Sequence, residues 1–141
     1  MNTSNFHTLT VRIHDDNPFY ASLLQTQIRQ HVDNYFGYLG ALIHVHSFTD
    51  HDQFVASFEA SRSIAFVDYY LSSTLSGTDL IQPIRAYDQA CNIIILTDSE
   101  NLHIVRDCMD KGAGGLIFKS NEAVYLCASA IQNALNNCTF Q

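Results

Sequence analysis

The sequence predicts an α/β protein: a five-stranded, doubly wound parallel sheet flanked by five helices. Three observations lead there. Short runs of β-branched and apolar residues recur along the chain, each is followed by a segment of helical period, and little lies between them. "TLTVRIH" (8–14) reads as the first strand, and "PFYASLLQTQIRQHVDNY" as a helix with Pro18 in its first turn. "ALIHVHSF" (41–48) is the second strand, followed by a helix from Thr49 or Asp50 to about Ala60. Ile64–Val67 is too short and too β-branched for a helix and reads as a buried third strand that runs into Asp68. A loop, "LSSTLSG", precedes a helix over 78–89, on which Leu80, Ile81 and Ile84 keep the helical period. "CNIIILTD" (91–98) is the most continuous apolar strand. The next helix is capped by Ser99 and closed by Gly112, Gly114 and Gly115. "GLIFKS" is the fifth strand, and "NEAVYLCASAIQNALNN" the last helix, with Asn121 as its cap.

Composition narrows the class. The 141 residues are read as one domain, 1–141, with its core over about 8–137. Hydrophobic content of 47% beside 15% charged residues is that of a globular chain. Fourteen acids against seven bases leave a charge of −7, which opposes direct binding to a nucleic-acid backbone. Cys91, Cys108, Cys127 and Cys138 show neither CxxC nor metal-ligand spacing and fit free thiols in a reducing cytoplasm. "MNTSNFHTLT" lacks a basic region followed by an apolar one, and no apolar run is long enough to span a membrane.

In doubly wound sheets the functional crevice lies at the carboxyl ends of the strands. That rule gathers Asp15 and Asp16 after strand one, Asp68 after strand three, Thr97 after strand four and Lys119 after strand five. Any one acid at a strand end is usually a solvated or capping group. Five polar residues at the ends of four strands, an Asp-Asp pair among them, form a more specific pattern. Three neighbouring carboxylates repel, and one lysine offsets only part of that charge. The remainder calls for a hard divalent cation with oxygen ligands, and a partly hydrated Mg²⁺ fits so few carboxylates. His44 and His46 share a face of strand two and could hold a metal with His14 or His51. Polar side chains are ordinary on an edge strand, however, and the acidic site does not depend on them. Phe19–Tyr20 and Tyr35, Phe36 and Tyr38 read as packing residues, and the stretch around "NYFGYLG" lengthens the first helix or its connection.

From about Thr8 to Asn136 the chain resembles a response-regulator receiver domain of two-component signalling. The resemblance rests on "VRIHDDNPFY", "IAFVDYYLSSTLSGTDLI", "IIILTDS" and "KGAGGLIFKS". It implies a flavodoxin-like sheet of strand order 2-1-3-4-5. It also implies a phosphoacceptor that takes a phosphoryl group from the phosphohistidine of a sensor histidine kinase, and not an enzyme with a separate substrate. Carried over by position, Asp68 is the nucleophile, Asp16 binds Mg²⁺ directly, Asp15 binds it directly or through water, and the Tyr70 carbonyl completes the protein ligands. Lys119 and Thr97 meet phosphoryl oxygens. The Lys-Ser pair is similar to receivers of helix-turn-helix regulators, which implies a phosphorylation-strengthened homodimer, formed through the last helix or the face beside strand five. DNA would be reached only through an output domain outside this chain.

Several positions depart from the family pattern. Ser72 stands where proline is frequent, Gly77 comes one residue late, and Asp98 follows Thr97 where a small residue is favoured. Leu116 replaces an aromatic that rotates on activation. Ser120 replaces a proline whose preceding bond is typically cis, an isomer that costs about 2.5–4 kcal/mol before serine. The departures at Asp98, Leu116 and Ser120 sustain an alternative, a receiver-like dimerisation or scaffold module that works without phosphorylation. A small-molecule enzyme has little support, because "HDDNPF" stands where a glycine-rich phosphate loop would follow strand one.

Overall fold

The computed structural model describes residues 8–139, with side chains over 8–136; the seven residues before Thr8 and the Cys138 thiol lie outside the described residues. Five parallel strands stand in the order β2-β1-β3-β4-β5: β1 Leu9–His14, β2 Ile43–Phe48, β3 Ser63–Asp68, β4 Asn92–Thr97 and β5 Gly115–Phe118. The helices are α1 Pro18–Tyr35, α2 His51–Ala56, α3 Ile81–Tyr87, α4 Leu102–Asp110 and α5 Ala123–Thr139. From β1 the chain goes out to β2 and then returns to β3 on the other side. The switch in strand order therefore falls between β1 and β3, whose carboxyl ends carry Asp15 and Asp68.

Strand alternation divides the core in two. Val11, Ile13, Ile64, Phe66 and Leu96 meet Leu24 and Ile28 of α1 and Cys127 and Ile131 of α5. Ala65, Val67, Ile93 and Ile95 face Phe54 of α2, Ile81 and Ile84 of α3, and Ile104 of α4. All six residues of β3 are buried, as expected of a strand covered on both faces. Cys91, Cys108 and Cys127 are buried free thiols. No helix among the described residues is long and apolar enough to cross a membrane.

Element boundaries differ from expectation where side chains far apart in sequence intervene. A 3₁₀ helix, Gly37–Leu42, takes up the first residues expected of β2 and accounts for the long connection after α1. α2 ends at Ala56, well short of Ala60. The Arg12 guanidinium donates to Ser57 Oγ (3.1 Å) and to the Ser57 carbonyl (2.8 Å) and stacks over Phe58 at 4.5 Å, pinning the chain there. A 3₁₀ turn, Gly77–Leu80, leads into α3.

The cap of α4 is Asn101, whose side-chain oxygen accepts from the His103 amide at 2.9 Å. Ser99 does not cap it, because the Ser99 amide is held by Thr97 Oγ1 (3.1 Å) and the lead-in turns first. At α5, Ser120 supplies the oxygen expected of Asn121: its Oγ accepts from the Glu122 amide (3.3 Å) and its carbonyl from Ala123 (3.1 Å). The described peptide bonds are all trans, that between Lys119 and Ser120 included.

Candidate functional site

The register brings the strand ends level: Asp68 pairs with Leu96, and Thr97 with Phe118. Backbone bonds carry the pairing just past the ends, from the Tyr69 amide to the Leu96 carbonyl (2.8 Å) and from the Lys119 amide to the Thr97 carbonyl (2.7 Å). Lys119 thus leaves β5 aimed at the crevice. Its Nζ donates to Asp68 Oδ1 at 2.7 Å and to Asp15 Oδ2 at 2.9 Å. Asp15, Asp16 and Asp68 bring one carboxylate oxygen each within 4.8 Å of one another. Asp15 and Asp68 are buried, while Asp16 is exposed to solvent.

The structure therefore brings together four of the predicted residues: Asp15, Asp16, Asp68 and Lys119. Thr97 is fully buried at the neighbouring strand end, but its hydroxyl is engaged by the Ser99 amide and not by the cluster. Tyr70 lies on the loop after Asp68, bridged to Ser76, so its carbonyl is a candidate ligand by position. Asp98, just past the end of β4, is exposed.

The loop over Asp68 folds back tightly. The Gly77 amide donates to the Tyr69 carbonyl at 2.7 Å, and a Cβ on Gly77 would collide with the Asp68 carbonyl oxygen. Only glycine permits that approach. The strand-two histidines do not join the site: His44 and His46 are exposed. His14 is buried, and its Nδ1 donates to the Phe48 carbonyl (3.0 Å). Its Nε2 is thereby left to accept from His51 Nδ1 (3.2 Å). Among the described residues the acidic triplet is the one group of three such ligands.

Electrostatics set the character of the cluster. Burial pushes the Asp68 carboxyl up to about 6; Lys119 opposes the rise through its hydrogen bond and charge, and Asp15 and Asp16 add to it. Burial works against the Lys119 ammonium too, but its bonds to Asp68 and Asp15 prevail and its pKa lies above the ordinary value. One ammonium does not balance the carboxylates. The three acids supply hard oxygen donors around a surplus of negative charge, and they fit Mg²⁺.

Contacts beyond the expected set also converge here. Tyr20, in the first turn of α1, lies under Lys119, with Nζ 4.3 Å from the ring centroid. The Tyr69 hydroxyl and Thr78 Oγ1 both donate to Asp107 Oδ2 of α4 (2.9 and 2.7 Å), which ties the loop after Asp68 to that helix. Tyr20 stands four residues after Asp16, and nothing in that spacing separates it from a packing aromatic. The Tyr69–Asp107 pair spans 38 positions and left no local trace.

A family model described as the response regulator receiver domain matches residues 11–131. No curated protein matches the chain. Among solved structures, DrrB of Thermotoga maritima, described as an OmpR/PhoB homolog, aligns with a TM-score of 0.70 at 17% identity over 92% of this chain and 54% of its own. A response regulator receiver domain protein from Clostridium thermocellum gives 0.70 at 18% identity, over 94% of this chain and 98% of its own. NtrX of Brucella abortus gives 0.69 at 19% identity, over 93% of this chain and 28% of its own. The chain thus spans about half the length of DrrB and little more than a quarter of NtrX.

The raised Asp68 sets a pH dependence with a definite sign. Its folded pKa of about 6 exceeds the ordinary 3.8, so the folded state holds this proton more tightly. The resulting stability is complete below about 3.8 and is lost as pH rises through about 6. Urea unfolding in chelator, for wild type and Asp68→Asn, checks it. From pH 4 to 7.5 the variant should gain on the order of 2 kcal/mol relative to wild type. Parallel stability curves would show that Asp68 ionises at its ordinary value.

Proposed function

The chain belongs to the response regulator receiver domain family, whose model spans residues 11–131, and we propose that it is a phosphoacceptor controlled by a sensor histidine kinase. The observation that carries this reading is the buried Asp68 carboxylate, paired with Lys119 Nζ at 2.7 Å and flanked by Asp15 and Asp16. In the proposed reaction an Asp68 oxygen attacks phosphorus of a phosphohistidine. An O–P bond forms as the P–N bond breaks, and the electron pair leaves with the imidazole. Asp15, Asp16 and Asp68, with the Tyr70 carbonyl, would hold Mg²⁺, which neutralises charge on the transferring group. Lys119 is already within reach of the acceptor and pairs with a phosphoryl oxygen.

Thr97 supplies the readout in this proposal. Its oxygen accepts from the Ser99 amide, so its own proton is free to be donated to the phosphoryl group. Movement of Thr97 toward that group draws Ser99 and the lead-in of α4 with it. Leu116 offers no ring to rotate and packs against the core between the sheet and α2–α4. The Thr97–Ser99 bond is therefore the connection we assign to switching. The module would act in the cytoplasm and reach DNA only through an output domain outside this chain.

Intact-mass analysis tests the proposal. Incubated with acetyl phosphate and Mg²⁺, the protein should gain one phosphoryl group by intact mass, while Asp68→Asn and chelated wild type should not. Equal labelling of both proteins would move the acceptor elsewhere. Absence of labelling in both wild type and Asp68→Asn would favour the phosphorylation-independent scaffold, for which the missing aromatic at Leu116 speaks.

We further propose self-association through β5 and α5, where Phe118, Tyr125 and Leu126 are exposed. Sedimentation should show a larger mass with beryllofluoride than without. A monomer under both conditions would contradict it.

A further inference from the structure

We propose that Tyr20 is a positioning residue for Lys119, its ring forming the third wall of the seat that keeps Nζ aimed at Asp68. The inference rests on the phosphoacceptor reading above. A lysine ammonium has three N–H donors and a flexible four-carbon stem, so its direction has to be imposed from outside. Asp68 and Asp15 take two sides of it, at 2.7 and 2.9 Å. The third side faces the Tyr20 ring, at 4.3 Å from the centroid and within the range of cation–π attraction.

The ring is held in place by the same acid that binds the ammonium. Asn17 Oδ1 accepts from the Phe19 and Tyr20 amides (3.0 and 3.3 Å), which fixes the first turn of α1. The Asn17 amide in turn donates to Asp15 Oδ1 at 2.9 Å. Asp15 therefore holds Lys119 through one oxygen and the helix that carries Tyr20 through the other. Charge on the two carboxylates changes when a cation or phosphoryl group arrives, whereas the ring face does not. Burial also raises the Tyr20 hydroxyl pKa, so the ring stays neutral. Beside the ring lies a cavity of about 350 Å³ lined by Leu23, Gln27, Ser120 and Asn121. Without the ring, Nζ can turn into that space.

The test compares wild type with Tyr20→Phe, which keeps the ring, and Tyr20→Leu, which keeps bulk alone. At saturating Mg²⁺ and acetyl phosphate, Tyr20→Leu should label Asp68 about fivefold to tenfold more slowly, and Tyr20→Phe should stay within about twofold of wild type. Mg²⁺ affinity should be the same in all three, which a general collapse of the site would not allow. Independently of phosphotransfer, the Lys119 ε-methylene protons should show an upfield ring-current shift in wild type and Tyr20→Phe that is absent in Tyr20→Leu. Equal rates in all three proteins, or a rate loss shared by Tyr20→Phe, would overturn the proposal, as would the absence of the ring-current shift in wild type. A wild type that shows the shift but never labels would instead refute the phosphoacceptor reading and, with it, a positioning role in that reaction.

Discussion

The rest of the site depends on a charge imbalance at the buried end of the sheet, where a single ammonium faces two buried carboxylates with a third beside them. Removing such groups from water is costly, and an ion pair recovers the cost only with short, well-directed bonds. Lys119 makes two of these, to Asp68 and Asp15. They are not sufficient to hold Asp68 at an ordinary carboxylate pKa, and burial keeps it near 6. A cluster with that surplus is poised for a hard cation and, with the cation bound, for an anionic phosphoryl group. The imbalance that costs stability is what makes the proposed phosphoryl transfer chemically reasonable at this site.

The fold supports this arrangement through the pairing of its strands. Parallel pairing sets the ends of β1, β3, β4 and β5 at one edge, and the β1–β3 switch opens the crevice between Asp15 and Asp68. Local devices then refine the geometry. Asn17 couples the start of α1 to Asp15, Gly77 lets the loop after Asp68 lie against the Asp68 backbone, and Thr97 holds the turn into α4. The Tyr69–Asp107 bond joins that loop to the far end of α4. That helix is thus tied to the site at both ends, by Thr97 through Ser99 and by Asp107.

Much of this was legible in the sequence, because the pattern that makes a parallel sheet also says where its carboxyl ends fall. Strand order and the convergence of Asp15, Asp16, Asp68 and Lys119 followed from that, together with the family resemblance. What escaped was set by contacts between distant side chains. α2 stops early because Arg12 of β1 grips Ser57, and α4 starts late because Thr97 claims the Ser99 amide. Ser120 took the capping role expected of Asn121 through a turn that no local propensity distinguishes. Tyr20 read as packing because a ring under an ammonium looks, in sequence, like any aromatic on a helix. The histidine pairing likewise joined His14 to His51 and left His44 and His46 in solvent.

The central claim is that the surplus negative charge around Asp68 is what binds the cation, so the proton on Asp68 and the cation should compete. Calorimetric titration with Mg²⁺ near pH 5.5, repeated in buffers of different ionisation enthalpy, measures that exchange directly. The account predicts that binding releases a substantial fraction of one proton at that pH, that the release fades by pH 7.5, and that Asp68→Asn abolishes it. Mg²⁺ binding without proton release at pH 5.5, or release undiminished in Asp68→Asn, would contradict it.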